Sequence, residues 1–169
     1  MIRLENVTKT YKGGNVALHN ASADIQKGEF VFLVGPSGSG KSTFLRLLNK
    51  EEEPDKGQIF VAGKDIGSLS RWRVPYLRRN IGSIFQDFKL LPSKTVAENV
   101  AFALEVIGRP RHVVRTQVPA ILELVGLSQK VDSFPGQLSG GEQQRVSIAR
   151  AFVNRPLILL AGQGIGSTT

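Results

Sequence analysis

Between Val34 and Thr43 the chain reads Gly35-Pro36-Ser37-Gly38-Ser39-Gly40-Lys41-Ser42, and few folds accommodate that octet in that setting. It fits Gly-x4-Gly-Lys-Ser at each fixed position. Upstream, Phe30-Val31-Phe32-Leu33-Val34 is a continuous apolar run, which predicts a strand buried on both faces. Downstream, Phe44, Leu45, Leu47 and Leu48 form the apolar side of a helix predicted from Thr43 to Leu48. Glycines let the connecting backbone curl so that successive N–H groups point into one cavity. The following helix adds the positive end of its dipole there. That is a cradle for phosphate. Gly35, Pro36, Ser37, Gly38, Ser39, Gly40, Lys41, Ser42 and Thr43 are therefore the candidate nucleotide-binding residues. Lys41 would place a point charge on the β- and γ-phosphates, and Ser42 would offer a hydroxyl to Mg²⁺. A glycine- and serine-rich loop with a chance lysine is the alternative, and the flanking strand and helix patterns argue against it.

A second motif opens a late helix: Leu138-Ser139-Gly140-Gly141-Glu142-Gln143-Gln144-Arg145. Ser139 and Glu142 have the spacing of a capping box, in which each side chain satisfies an N–H at the helix start. Two glycines in a helix interior cost ~1 kcal/mol each. Gly140 and Gly141 therefore suggest that something approaches this N-terminus closely, which makes it a second anion site. Elsewhere, strands are predicted at 2–7, 58–62 and 81–85, with a second fully buried strand at 157–161. Helices are predicted within 95–125 and at about 140–153. Strands interleaved with helices give an α/β core, and residues 95–150 read as a mainly helical insertion.

Charge narrows the partners. Twenty-two Lys and Arg against fourteen Asp and Glu give +8, which favours nucleotides, nucleic acid or acidic membrane surfaces. Arg71-Trp72-Arg73 with Arg78-Arg79 carries four cations and no acid, and Arg109 to Arg115 carries three more. The ordinary reading is a solvated basic face. Nucleic-acid binding needs stacking aromatics beside the cations, and only Trp72 and Tyr76 stand there, so no nucleic acid is expected. With no cysteine, thiol chemistry and cysteine-ligated zinc are excluded. His19 and His112 are too few for a metal cage. No apolar run approaches the ~20 residues of a membrane span, and the N-terminus lacks a secretory core. A soluble chain is expected.

The Leu138–Arg145 motif, following the phosphate loop in the chain, resembles the signature of ABC-type ATPases. That resemblance implies a RecA-like P-loop NTPase core, at 1–94, carrying a helical signature subdomain at 95–153 and a Walker B strand at 154–161. Tyr11 sits where the family's adenine-stacking aromatic sits. Gln86 resembles the glutamine that contacts Mg²⁺ and the attacking water and senses the transmembrane partner. Phe85 to Leu91 and Asn99 to Gly108 resemble the family's cell-division branch. The branch implies an FtsX-like membrane protein docking near Gln86 and the helical subdomain, on the inner face of the cell membrane. It also implies an ATP-dependent head-to-tail homodimer, in which Ser139, Gly140, Gly141 and Glu142 act in trans on the other copy's ATP, with Mg²⁺ held by Ser42 and Gln86. An ATPase for lipoprotein or macrolide export is the runner-up. A non-catalytic module that binds ATP or the membrane partner without turnover is a further reading. A chromosome- or repair-type ABC ATPase is another, against which stands the lack of a long heptad run.

The resemblance fails at one place. After Ala161 the family continues Asp-Glu-Pro, whereas this chain has Gly162-Gln163-Gly164 and then Ile165 to Thr169. The aspartate that supports Mg²⁺ and the glutamate that polarises water are therefore expected to be replaced by Gly162 and Gln163. The later switch histidine has no counterpart, since His19 and His112 both precede the signature. Residues 162–169 read as a divergent tail on a core whose C-terminal part is missing. Little ATP hydrolysis is expected, because a general base contributes ~10²–10⁴-fold.

Overall fold

The computed structural model describes residues 1–85 and 87–162. It divides into two compact units, Met1–Leu77 and Arg78–Thr169.

In the first unit, β1 (Ile2–Thr10) pairs antiparallel with β2 (Val16–Ile25) on one side and β3 (Lys56–Val61) on the other. A short β4 (Lys64–Asp65) completes the order β2-β1-β3-β4. Register explains the burial. Ile2 lies opposite Val61 and Leu4 opposite Ile59, and all four are buried, as the alternation of β1 requires. Gly57 permits the approach of β3 to β1, since a Cβ there would lie 2.4 Å from the Glu5 carbonyl oxygen. α1 (Lys41–Leu48) buries Thr43, Phe44, Leu47 and Leu48.

The apolar run 30–34 departs from the expectation of a buried strand. It joins no ladder among the described residues and is exposed, Phe30 by 84%. Apolar composition expresses a preference for burial, but a strand also needs a neighbour to take its N–H and C=O groups. Neither described sheet supplies one. Phe30 and Phe32 instead meet edge to face at 4.8 Å between centroids.

In the second unit, β5 (Ile81–Ile84) and β6 (Ile158–Ala161) pair in parallel, Ile81 opposite Ile158 and Ile84 opposite Ala161. β6 was expected to be buried on both faces, yet only Ile158 and Leu160 are buried, while Leu159 and Ala161 are exposed. Its single described neighbour, β5, covers an edge and not a face. Three helices form the core beside this pair: α3 (Val96–Glu105), α4 (Arg111–Leu124) and α5 (Gly140–Phe152). Val96, Val100 and Leu104 recur every fourth residue on α3 and pack with Val118 and Leu122 of α4 and Val146 and Ala149 of α5. Gly82 lets β5 run close beneath α5, because a Cβ would lie 2.7 Å from the Ala151 carbonyl oxygen. Among the described residues, no helix is long and apolar enough to cross a membrane.

Candidate functional site

The glycine positions show how the phosphate loop is bent. Gly38 and Gly40 lie in the left-handed region, at φ +80° and +89°. Gly40 is also buried, and a Cβ there would fall 2.2 Å from the Ala17 carbonyl oxygen of β2. The loop thereby reaches α1 without a side chain at the junction. α1 starts with no side-chain cap and no acid in its first turn, so its N-terminal N–H groups keep their full positive character.

Lys41 leads that turn. Its ammonium donates to the carbonyls of Gly35 and Pro36, both at 2.7 Å, and to Ser39 Oγ at 3.2 Å. The loop thus folds around its own cation. Gly35 to Ser39 and Ser42 are exposed, whereas Thr43 is buried. The Thr43 hydroxyl lies 3.2 Å from the Tyr11 hydroxyl, which brings the Tyr11 ring beside the start of α1. The donor set suits a polyphosphate: a cation, two hydroxyls and an uncapped helix N-terminus. No group of three or more His, Cys, Asp or Glu among the described residues could hold a metal. Gly162 brings no ligand, and its N–H donates to the Ile84 carbonyl at 3.0 Å. Ser42, in the first turn of α1, carries an exposed hydroxyl.

The second motif has the geometry its spacing predicted. The Glu142 N–H donates to Ser139 Oγ at 3.3 Å, and the Glu142 carboxylate accepts from the Ser139 N–H at 2.8 Å and from its hydroxyl at 3.0 Å. The Ser139 backbone bond, then its hydroxyl, holds the Glu142 carboxyl below the usual carboxylate range, with Lys130 and Arg145 adding smaller effects. Gly140 has open space where a Cβ would stand, and Gly141 meets only Arg145 Nη1 at 4.0 Å. Nothing in the described unit requires glycine at either position, so the two leave the helix start bare.

Gln86 and Gln163 lie outside the described residues. The segment that follows Gln86 is pinned in a way the sequence did not disclose. Phe88 and Lys89 both adopt positive φ, +54° and +45°, unusual for side-chain-bearing residues. Arg150 of α5 grips their carbonyls at 2.7 Å each, Nη2 to Phe88 and Nη1 to Lys89. Partial burial lowers the Arg150 pKa, but a guanidinium stays charged in protein surroundings. Farther on, fully buried Asn99 accepts from the Leu91 N–H at 2.8 Å and donates to the carbonyls of Leu91, Lys94 and Thr95. Thr95 and Glu98 form a second capping box, whose T-x-x-E spacing was open to the same sequence rule as Ser139 and Glu142. Beside this segment lies a groove of about 380 Å³, lined by Phe85, Lys89, Leu91, Phe102, Ile107 and Arg150 among others.

Comparison with known proteins places these features in context. A family profile described as ABC transporter matches residues 18–162. The chain is 56% identical over 168 residues to the cell division ATP-binding protein FtsE of Mycobacterium tuberculosis, covering 99% of this chain and 73% of that protein. Identity to the Bacillus subtilis protein of the same name is 52% over 167 residues, with the same coverage. Among solved structures, the ATP-binding cassette MJ0796, in a dimeric post-hydrolysis state bound to ADP and Pi, superposes with a TM-score of 0.89. That match has 39% identity and covers 100% of this chain and 76% of that one.

Proposed function

Because the chain belongs to the ABC transporter family, we propose that it is the ATP-binding subunit of an ABC complex that works with an FtsX-like membrane protein in bacterial cell division. The observation that carries this reading is the start of α1, uncapped and acid-free, with Lys41 held at its mouth. Bound Mg-ATP would supply a phosphoanhydride bond and the metal that neutralises its charge. Lys41 would exchange its bonds to Gly35, Pro36 and Ser39 for phosphate oxygens, and the N–H groups from Gly38 to Thr43 would line the same cavity. Ser42 would hold the metal, and Tyr11 would stack on the adenine. Gln86 would contact the metal and the attacking water.

In a head-to-tail pair of chains, the bare start of α5, from Ser139 to Glu142, would face the other copy's phosphates. Two helix N-termini would then share one anion, which supports closure only while that anion is intact. The groove beside Lys89 and Phe102 would receive the membrane protein, with Arg150 and Asn99 fixing the wall that reports its position. The complex would sit on the cytoplasmic side of the membrane. Hydrolysis by this chain would be weak: Gly162 carries no carboxylate to support the metal, and Gln163 is no base at neutral pH.

Titration of the purified chain with Mg-ATP tests the reading, with Lys41→Ala as the control. Saturable binding that the substitution abolishes is expected, with phosphate release near background. No binding by the parent chain overturns the nucleotide site. Brisk turnover that depends on Lys41 overturns the hydrolysis-poor part alone.

A further inference from the structure

The segment from Arg71 to Arg79 takes no part in the ATP site or the groove wall just described, apart from Arg78 and Arg79 at the groove's edge. It consists of a single 3-10 turn, Arg71–Arg73, and then α2 (Val74–Arg79). Trp72 is 88% exposed and Tyr76 63% exposed. Tryptophan is highly buried on average, so one left almost wholly in water is the informative case. Arg71 and Arg73 flank it, both exposed, and the sequence has no acid between Asp65 and Asp87.

Amphipathic rings beside exposed guanidinium groups match one kind of surface well. Trp and Tyr settle at the headgroup level of a bilayer, with the ring body in the apolar boundary and the polar edge toward water. Arginines near an anionic leaflet are drawn to it by the surface potential. We propose that Arg71, Trp72, Arg73 and Tyr76 form a foot that rests on anionic lipid headgroups. The overall charge of +8 favours the same approach. A nucleic-acid strand would instead call for a row of rings along a basic track, and this segment offers two. A single contact of this size binds weakly, so the foot supplements a second attachment and does not replace it. The proposal goes beyond the ATP-binding role and does not depend on it.

Trp72 is the sole tryptophan of the chain, so its fluorescence reports this place alone. The test titrates the full chain with vesicles of phosphatidylglycerol and phosphatidylcholine, in low and high salt, with no membrane protein present. A blue shift of Trp72 emission, quenched by lipids brominated near the headgroup and weakened by salt, is expected. Each arginine near such a surface contributes roughly fivefold, so Arg71→Gln with Arg73→Gln should weaken binding about 30-fold while keeping the reporter. An equal response to pure phosphatidylcholine overturns the proposal, as does none at all. So does co-sedimentation with no change in Trp72, which would assign the contact to another surface such as the apolar run 30–34. A response to oligothymidylate without one to vesicles would make the segment a nucleic-acid platform instead. Loss of ATP binding in Lys41→Ala leaves every one of these readouts in place, so the two readings fail separately.

Discussion

The hydroxyl of Tyr11 lies 3.2 Å from Oγ1 of Thr43, which links the turn after β1 to the first turn of α1. Lys9 stands over the same ring, its Nζ 5.5 Å from the centroid. The ring is therefore placed from two sides before any nucleotide arrives. If it is the adenine platform, Tyr11→Phe keeps the ring and should change Mg-ATP affinity by less than about threefold, since a neutral hydrogen bond is worth roughly 0.5–1.5 kcal/mol and mostly to the fold. Tyr11→Ala should weaken binding by about 5- to 150-fold, the range that ~1–3 kcal/mol of base stacking implies. Calorimetric titration of both variants decides it, and wild-type affinity in Tyr11→Ala would remove Tyr11 from the site.

Asn99 gives a second expectation, about stability. Its Oδ1 accepts from the Leu91 N–H and its Nδ2, with two hydrogens, lies within hydrogen-bond distance of the carbonyls of Leu91, Lys94 and Thr95, and it is fully buried. Asn99→Leu keeps the volume but leaves two half-buried backbone groups, the Leu91 N–H and the Lys94 carbonyl, without a partner at ~1–3 kcal/mol each. The Leu91 carbonyl still accepts from the Lys94 N–H, and the Thr95 carbonyl from the backbone N–H of residue 99. Partial relaxation toward solvent should leave a net loss of about 2–4 kcal/mol. Urea denaturation would measure it. A change within about 0.5 kcal/mol, the usual size for an ordinary surface substitution, would mean that the pinned segment is not held in solution as described.

These two residues also show where the sequence speaks and where it is silent. The phosphate loop, the α1 and α5 patterns and the Ser139–Glu142 box were legible because each depends on neighbours within four positions. Tyr11 was reachable only through the family resemblance, since its partner Thr43 is remote in sequence. Asn99 and Arg150 gave no sequence signal of their roles: a buried amide and a guanidinium gripping two carbonyls are facts of tertiary packing. β2 escaped notice because Ala17, His19, Asn20, Ser22 and Asp24 carry little strand propensity, and pairing with β1 overrides that. At 30–34 the reverse holds: strong apolar character predicts a strand, but the run has no described neighbour to take its N–H and C=O groups.

Gly40 and Gly38 separate two effects that glycine can serve. Both have positive φ, but only at Gly40 would a Cβ strike backbone, 2.2 Å from the Ala17 oxygen. Gly38→Ala should cost only the conformational term, roughly 1–2 kcal/mol. Gly40→Ala must also displace β2 or α1, so a loss of about 3 kcal/mol or more is expected, together with loss of Mg-ATP binding. Thermal unfolding of the pair checks the ordering. Equal losses would show that β2 yields freely at this contact.

The Ser139–Glu142 box predicts a pH dependence of definite sign. The Ser139 backbone N–H, foremost, and its hydroxyl hold the folded Glu142 pKa below 4.5, the value expected without them. Glu98, bonded first to the Thr95 backbone N–H, is shifted the same way. A carboxylate with a depressed folded pKa stabilises the fold in full above its unfolded pKa. That contribution fades as the pH falls through the folded value. Both helix starts should therefore be fully capped at neutral pH and begin to loosen only below about 4.5, where the unfolded chain takes up protons first. Carbon-13 titration of the glutamate carboxyls should show Glu142 and Glu98 ionising at lower pH than the unfolded reference. Glu142→Gln should remove one of these acid-sensitive components and leave the Glu98 component unchanged. If Glu142 instead titrates at the unfolded value, the cap is open in solution. The start of α5 would then present more unsatisfied N–H groups to an approaching phosphate than the closed box allows.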